Sequence, residues 1–202
     1  MNIALMAKKG GVGKSTLSIL LYEALRAAGK SVTIRDWDAQ GTSSKVLELL
    51  RADDKLLPLA MAAAGSGESV PAQAPPDVLI YDTPPNLEHT STATAVRDAD
   101  IALIVTTPSP ADVWEAEEAV NFVTSRNAEA TVRVVFNKVR KSTILGRLLE
   151  ASSADAPYQD LGVRISAREC YQHAIAQGWK ALDSAAREEV LQLALAVLSL
   201  RT

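Results

Sequence analysis

Lysines set among closely spaced glycines are suited to holding phosphate, and the stretch "KKGGVGKST", Lys8 to Thr16, has both. It differs by one residue from the phosphate-loop pattern G-x-x-x-x-G-K-[ST]: Lys8 stands where the first glycine belongs, and Lys9 precedes Gly10. Gly10, Gly11 and Gly13 let the backbone curl so that successive N–H groups, Val12 among them, converge on phosphate oxygens. A helix starting near Lys14 adds its positive N-terminal end. In that frame Lys14 reaches the β- and γ-phosphates of ATP. The Ser15 hydroxyl ligates Mg²⁺, and Thr16 continues the loop.

Two acidic segments extend the chemistry. "RDWDAQG" puts Asp36 at the end of an apolar run and Asp38 two residues on, so both carboxylates share one face of an extended chain. A carboxylate near a γ-phosphate orients or deprotonates the attacking water. The same residues also suit an Asx turn that caps a helix over 42–51. "VLIYDTPPN" ends an apolar run in Asp82, the position at which an aspartate beside a phosphate loop holds Mg²⁺. In "VVFNK", Asn137 closes another run, and its amide can both donate to and accept from an adenine edge.

These residues need strands that end on one side of a sheet. Short apolar runs at 2–7, 31–36, 77–82, 100–105 and 131–137 predict strands, with a weaker one at 162–165. Helical spacing joins them: Leu17, Leu20, Leu21, Ala24, Leu25 and Ala28, then segments near 92–98, 111–126, 142–152 and 167–177. The last helix, about 184–200, lines Ala186, Val190, Leu193, Ala194, Val197 and Leu198 on one face. The alternation predicts an α/β three-layer fold, a mostly parallel twisted sheet with helices on both faces. Residues 52–76, rich in Ala, Gly, Pro and Ser, read as a variable connection with a short helix around 56–64. The whole chain, 1–202, reads as a single ATPase domain.

With 202 residues, 48% of them hydrophobic, the chain can bury a sizeable core. The formal net charge of −3 excludes a general polyanion binder. Cys170 is the sole cysteine, which excludes an intramolecular disulfide and fits a reducing cytosol. No secretory signal and no uncharged membrane-length run is visible, so a cytoplasmic location is expected.

The form "KGGVGKST", the "DTPP" after Asp82, "TTPSPADVWEA" at 106–116 and "ISARECYQHAIAQGW" at 165–179 resemble the ParA/MinD family of dimerising ATPases, in its small form without an N-terminal DNA-binding domain. The motifs follow the family's order over nearly the whole chain, residues 52–76 excepted. The resemblance implies a P-loop NTPase fold, binding of ATP and ADP with Mg²⁺, and an ATP-dependent homodimer. It makes Lys9 the signature lysine, which contacts the phosphates of ATP held by the partner subunit. It has Asp38 position the water and Asp36 support the loop near the metal, while Gln40 belongs to a mobile switch. It places Asn137 at the base. Ala39 departs from the family's usual proline. Trp114 is either an interface contact or a buried helical residue.

Residues 131–202 carry 10 Lys and Arg against 7 Asp and Glu. Lys138, Arg140, Lys141, Arg164, Arg168 and Lys180 are candidates for sequence-independent contacts with DNA phosphates, with Arg147 facing either DNA or nucleotide. No recognition-helix motif precedes the first strand. By resemblance, the chain partitions plasmid, chromosome or protein cargo such as carboxysomes over the nucleoid. A ParB-like or cargo-adaptor protein stimulates its hydrolysis. A membrane-cycling MinD-like ATPase would need a basic amphipathic tail, whereas "LQLALAVLSLRT" has Arg201 alone, so no stable membrane association is expected. A metabolic P-loop ligase or synthetase is the other alternative. An iron–sulfur reductase of the related kind needs two cysteines.

Overall fold

The computed structural model describes residues 1–38, 40–52, 75–151 and 156–200. Ala39, the short helix expected at 56–64 and Arg201 lie outside the described residues. The strands are β1 (Asn2–Met6), β2 (Val32–Asp36), β3 (Val78–Asp82), β4 (Ile101–Thr106), β5 (Thr131–Val139) and β6 (Asp160–Ser166). They form one six-stranded sheet in the order β2-β3-β1-β4-β5-β6, every pairing parallel. Central strands in such a sheet are covered on both faces and must be apolar throughout. Thus β4 is buried along its whole length, whereas edge strand β2 is half-buried and carries Thr33 and Arg35.

The helices are α1 (Lys14–Ala27), α2 (Thr42–Ala52), α3 (Thr90–Asp98), α4 (Pro110–Arg126), α5 (Ile144–Ala151), α6 (Cys170–Gln177) and α7 (Ser184–Ser199). On one face α1, α6 and α7 bury Leu21, Leu25, Tyr171 and Val190 against Leu5 and Leu103. On the other, α3 and α4 bury Val96, Ala119 and Val123 against Tyr81, Ile104 and Phe136. Phe136 is fully buried, and its truncation to alanine would cost about 3–5 kcal/mol. The apolar stripe of α7 is docked as expected: Val190, Leu193 and Val197 are buried, and the Asp183 carboxylate caps the helix by accepting from the Ala186 N–H at 2.7 Å.

Several features differ from expectation. Strand β5 runs on to Val139, past a register shift in its pairing with β6. There Lys138 takes a left-handed φ of 55°. Helix α6 begins at Cys170, because Ser166 and Arg168 are tied to Glu189 on α7 and turn the chain before the helix can start. A short 3-10 turn, Gly178–Ala181, has no counterpart in the sequence reading.

This topology makes the crevice. Helix α1 leaves β1 toward one face and α4 leaves the adjacent β4 toward the other. The two connections diverge at the C-terminal ends of the strands, where open α/β sheets bind their ligands.

Candidate nucleotide-binding site

A cleft of about 1060 Å³ opens at that divergence, between the loop after β1 and the loops after β4, β5 and β6. The loop after β1 is built from backbone. Gly11 and Gly13 have φ of 81° and 92°, and a Cβ on Gly13 would stand 2.3 Å from Asn137 Nδ2, so a side chain there would have to displace Asn137. The first helical bond of α1 runs from Leu17 N–H to the Gly13 carbonyl at 3.0 Å. Lys14, Ser15 and Thr16 therefore keep N–H groups with no helical acceptor at the cleft. Two residues from β5 brace this loop. The Asn137 amide donates to the Val12 carbonyl at 2.8 Å and accepts from the Lys138 N–H at 2.8 Å. Lys138 sends its ammonium back to the Gly11 carbonyl at 2.6 Å.

Sheet register sets Asp36 opposite Asp82, at the level of Leu5. Asp82 is fully buried. One oxygen accepts from the Ser43 hydroxyl, while Oδ1 lies 3.9 Å from the Lys14 ammonium with no hydrogen-bond partner. Burial pushes its carboxyl above the usual range, against the opposing pull of the Lys14 charge and of the nearby Ser43 and Ser15 hydroxyls. A buried carboxylate with an unused oxygen, beside a hydroxyl and a phosphate loop, fits a hard divalent cation. No group of three or more His, Cys, Asp or Glu residues suited to a metal occurs among the described residues. That donor set suits Mg²⁺, which takes one or two carboxylates and completes its shell with phosphate and water.

Asp36, expected near the metal, spends both oxygens on backbone, accepting from Asp38 N–H at 3.1 Å and Ser44 N–H at 2.9 Å. It thereby caps α2 and holds the Asp38 loop. Asp38 lines the cleft and accepts the Gln40 N–H at 3.0 Å, so the Asx turn and a cleft-facing carboxylate occur together.

Lys8 and Lys9 leave the loop toward α4. Lys9 pairs with Asp112 Oδ1 at 2.7 Å, and Lys8 pairs with Glu118. The Asp112 hydrogen bond, with its charge, raises the Lys9 pKa. Burial would raise Asp112, but the Lys9 and Thr107 hydrogen bonds outweigh it and hold the carboxyl low.

Residues 3–178 match the CobQ/CobB/MinD/ParA nucleotide binding domain. The chain belongs to that family. It is 24% identical over 191 residues, 92% of this chain and 88% of the other, to the maintenance of carboxysome distribution protein A of Halothiobacillus neapolitanus. Its fold matches that of a plasmid partition protein from Borrelia burgdorferi B31 bound to AMPPNP, with a TM-score of 0.73, 19% identity and 98% of each chain covered. It also matches apo McdA of Cyanothece, with a TM-score of 0.73, 17% identity, and 97% and 98% of the two chains covered. ParA/MinD members of the family are ATPases generally.

The six residues anticipated at DNA differ in how they are held. Arg164 is tied to Asp160 at 2.7 Å and lies over the Phe136 ring at 5.0 Å. Arg168 is held by Glu189 at 2.9 Å, and Lys138 by the phosphate loop. Arg140, Lys141 and Lys180 are exposed and have no ion pair among the described residues. Arg147 donates to the Ser142 carbonyl. Trp114 is 67% exposed on α4, which resolves the two alternatives away from burial. Sequence reasoning missed Ser43, Thr107, Asp112 and Glu189. Of these, Thr107 and Asp112 lay inside a segment singled out, "TTPSPADVWEA".

Proposed function

We propose that this chain, acting as one unit over residues 1–202, is a ParA-type ATPase that cycles between monomer and ATP-bound sandwich dimer. Gly10 to Thr16 and Lys14 hold the phosphates, and Asn137 keeps the loop closed from behind. Ser15 and Asp82 would hold Mg²⁺, which offsets charge on the phosphates, with Asp36 bracing the adjacent loop. Asp38 orients the attacking water. Lys9 of each subunit reaches the phosphates bound by the other, so hydrolysis waits for dimerisation. The exposed Arg140, Lys141 and Lys180, doubled in a dimer, give salt-sensitive, sequence-independent DNA contact. The chain is then cytoplasmic and nucleoid-associated. A cargo adaptor stimulates hydrolysis, and the carboxysome-distribution relative makes a protein organelle the favoured cargo.

The observation that carries this proposal is the division of labour between two lysines of one loop. Lys14 is 6% exposed against Asp82, while the Lys9 side chain is 53% exposed at the rim. The test is Asp38→Ala. It is expected to bind ATP, remain dimeric in light scattering and lose hydrolysis. A monomer at saturating ATP and Mg²⁺ would count against the sandwich.

A further inference from the structure

We propose that Trp37 is a positioning residue that sets Asp38 in the cleft by clamping its chain from the opposite face of the sheet. This rests on the assignment of Asp38 to the attacking water and adds what holds that carboxylate in place. Alternation along an extended chain separates the two jobs. Asp38 lines the nucleotide cleft, while the neighbouring Trp37 ring packs with Tyr81 against the core under α3 and α4.

The clamp has two parts. The Trp37 N–H donates to the Asp82 carbonyl at 2.9 Å, which carries the ladder between β2 and β3 one residue past the end of β2. The Trp37 and Tyr81 ring centroids lie 4.8 Å apart with planes at 41°, a tilted pairing in which aromatic rings attract. Tyr81 is a fixed anchor: it is 2% exposed, it immediately precedes Asp82, and its register partner Arg35 stands 5.9 Å from its ring centre. Beyond Trp37 the chain leaves the sheet. Asp38 accepts from the Gln40 N–H at 3.0 Å and the Gly41 N–H at 2.9 Å, bonds that shape the loop without tying it to the sheet. Asp36 and Asp82 hold its far end through Ser44 and Ser43 at the start of α2. Trp37 fixes its near end, one peptide bond from Asp38. A group misplaced by about 1 Å can lose a hundredfold in rate, so a ring that never touches nucleotide can govern hydrolysis.

The experiment measures kcat and KM for ATP hydrolysis in Mg²⁺, ADP affinity by calorimetry and the ATP dimer by light scattering. Trp37→Leu keeps apolar bulk and removes the ring. It is expected to lower kcat about ten- to hundredfold while KM, ADP affinity and the dimer stay unchanged. Trp37→Phe restores a ring and should recover most of the lost rate. A normal kcat in Trp37→Leu beside an inactive Asp38→Ala would overturn the clamp alone, as would a Trp37→Phe as slow as Trp37→Leu. Loss of ADP affinity or of the dimer in step with the rate would also overturn it, because a merely structural ring would lower all three together. Normal hydrolysis by Asp38→Ala would remove the underlying assignment as well. If Trp37→Leu does not fold, the wild type decides. The Trp37 amide should exchange its hydrogen several-fold more slowly than the Gln40 amide, and equal rates would overturn the proposal.

Discussion

Asp82 is a charged group that folding buries and only half satisfies. Its folded pKa lies above the ordinary value of 3.8, so between the two values the native chain binds more protons than the unfolded one. Nucleotide-free stability should therefore fall as pH rises through that window. Asp82→Asn should flatten the slope in pH-dependent melts. The same variant should lose the added thermal stability that Mg²⁺ with ADP gives the wild type. Gly13→Ala must move Asn137 or open the loop, and calorimetry should show nucleotide affinity lost at least tenfold. Lys14, Asp38 and Asp82 were legible in the sequence because each ends or follows an apolar run beside a recognisable loop. The partners that set their behaviour were not. Lys9 and Asp112 are 103 residues apart, and nothing local marks Ser43 as the residue that holds Asp82.

Elements are held at the cleft by a few long-range polar contacts. Glu189 on α7 accepts from Ser166, Arg168 and Tyr171, fixing the corner between β6 and α6. Burial raises its carboxyl, but Arg168, Ser166 and Tyr171 together hold it below the ordinary value of 4.5. Its contribution is present above that value and lost as pH falls through the folded one. Glu189→Gln should lower stability at neutral pH by about 1–3 kcal/mol and flatten the acid limb in urea titrations across pH. Gly146 packs α5 on the preceding loop so closely that a Cβ would lie 2.2 Å from the Arg140 carbonyl oxygen. Gly146→Ala should displace α5 and cost about 1–3 kcal/mol in the same assay. The strands were readable because buried parallel strands are continuous apolar runs. The start of α6 and the end of β5 were not, since side chains from distant elements set them.

At the scale of the molecule, strand order follows from packing between distant segments, so periodicity alone gave an α/β sheet and the motif order gave its family. The structure adds where the candidate site residues converge on one cleft, and it shows the rim lysine paired with Asp112 of its own chain. The central claim is that Lys9 serves the nucleotide of a second subunit. The most direct measurement mixes two variants, each expected to lack hydrolysis alone: Lys9→Ala, which keeps Lys14 and Asp38, and Asp38→Ala, which keeps Lys9. In a mixed dimer the Asp38→Ala subunit lends its Lys9 to the complete site of the other. The account predicts that ATPase activity returns on mixing. A mixture as inactive as its two components would show that Lys9 works within its own chain.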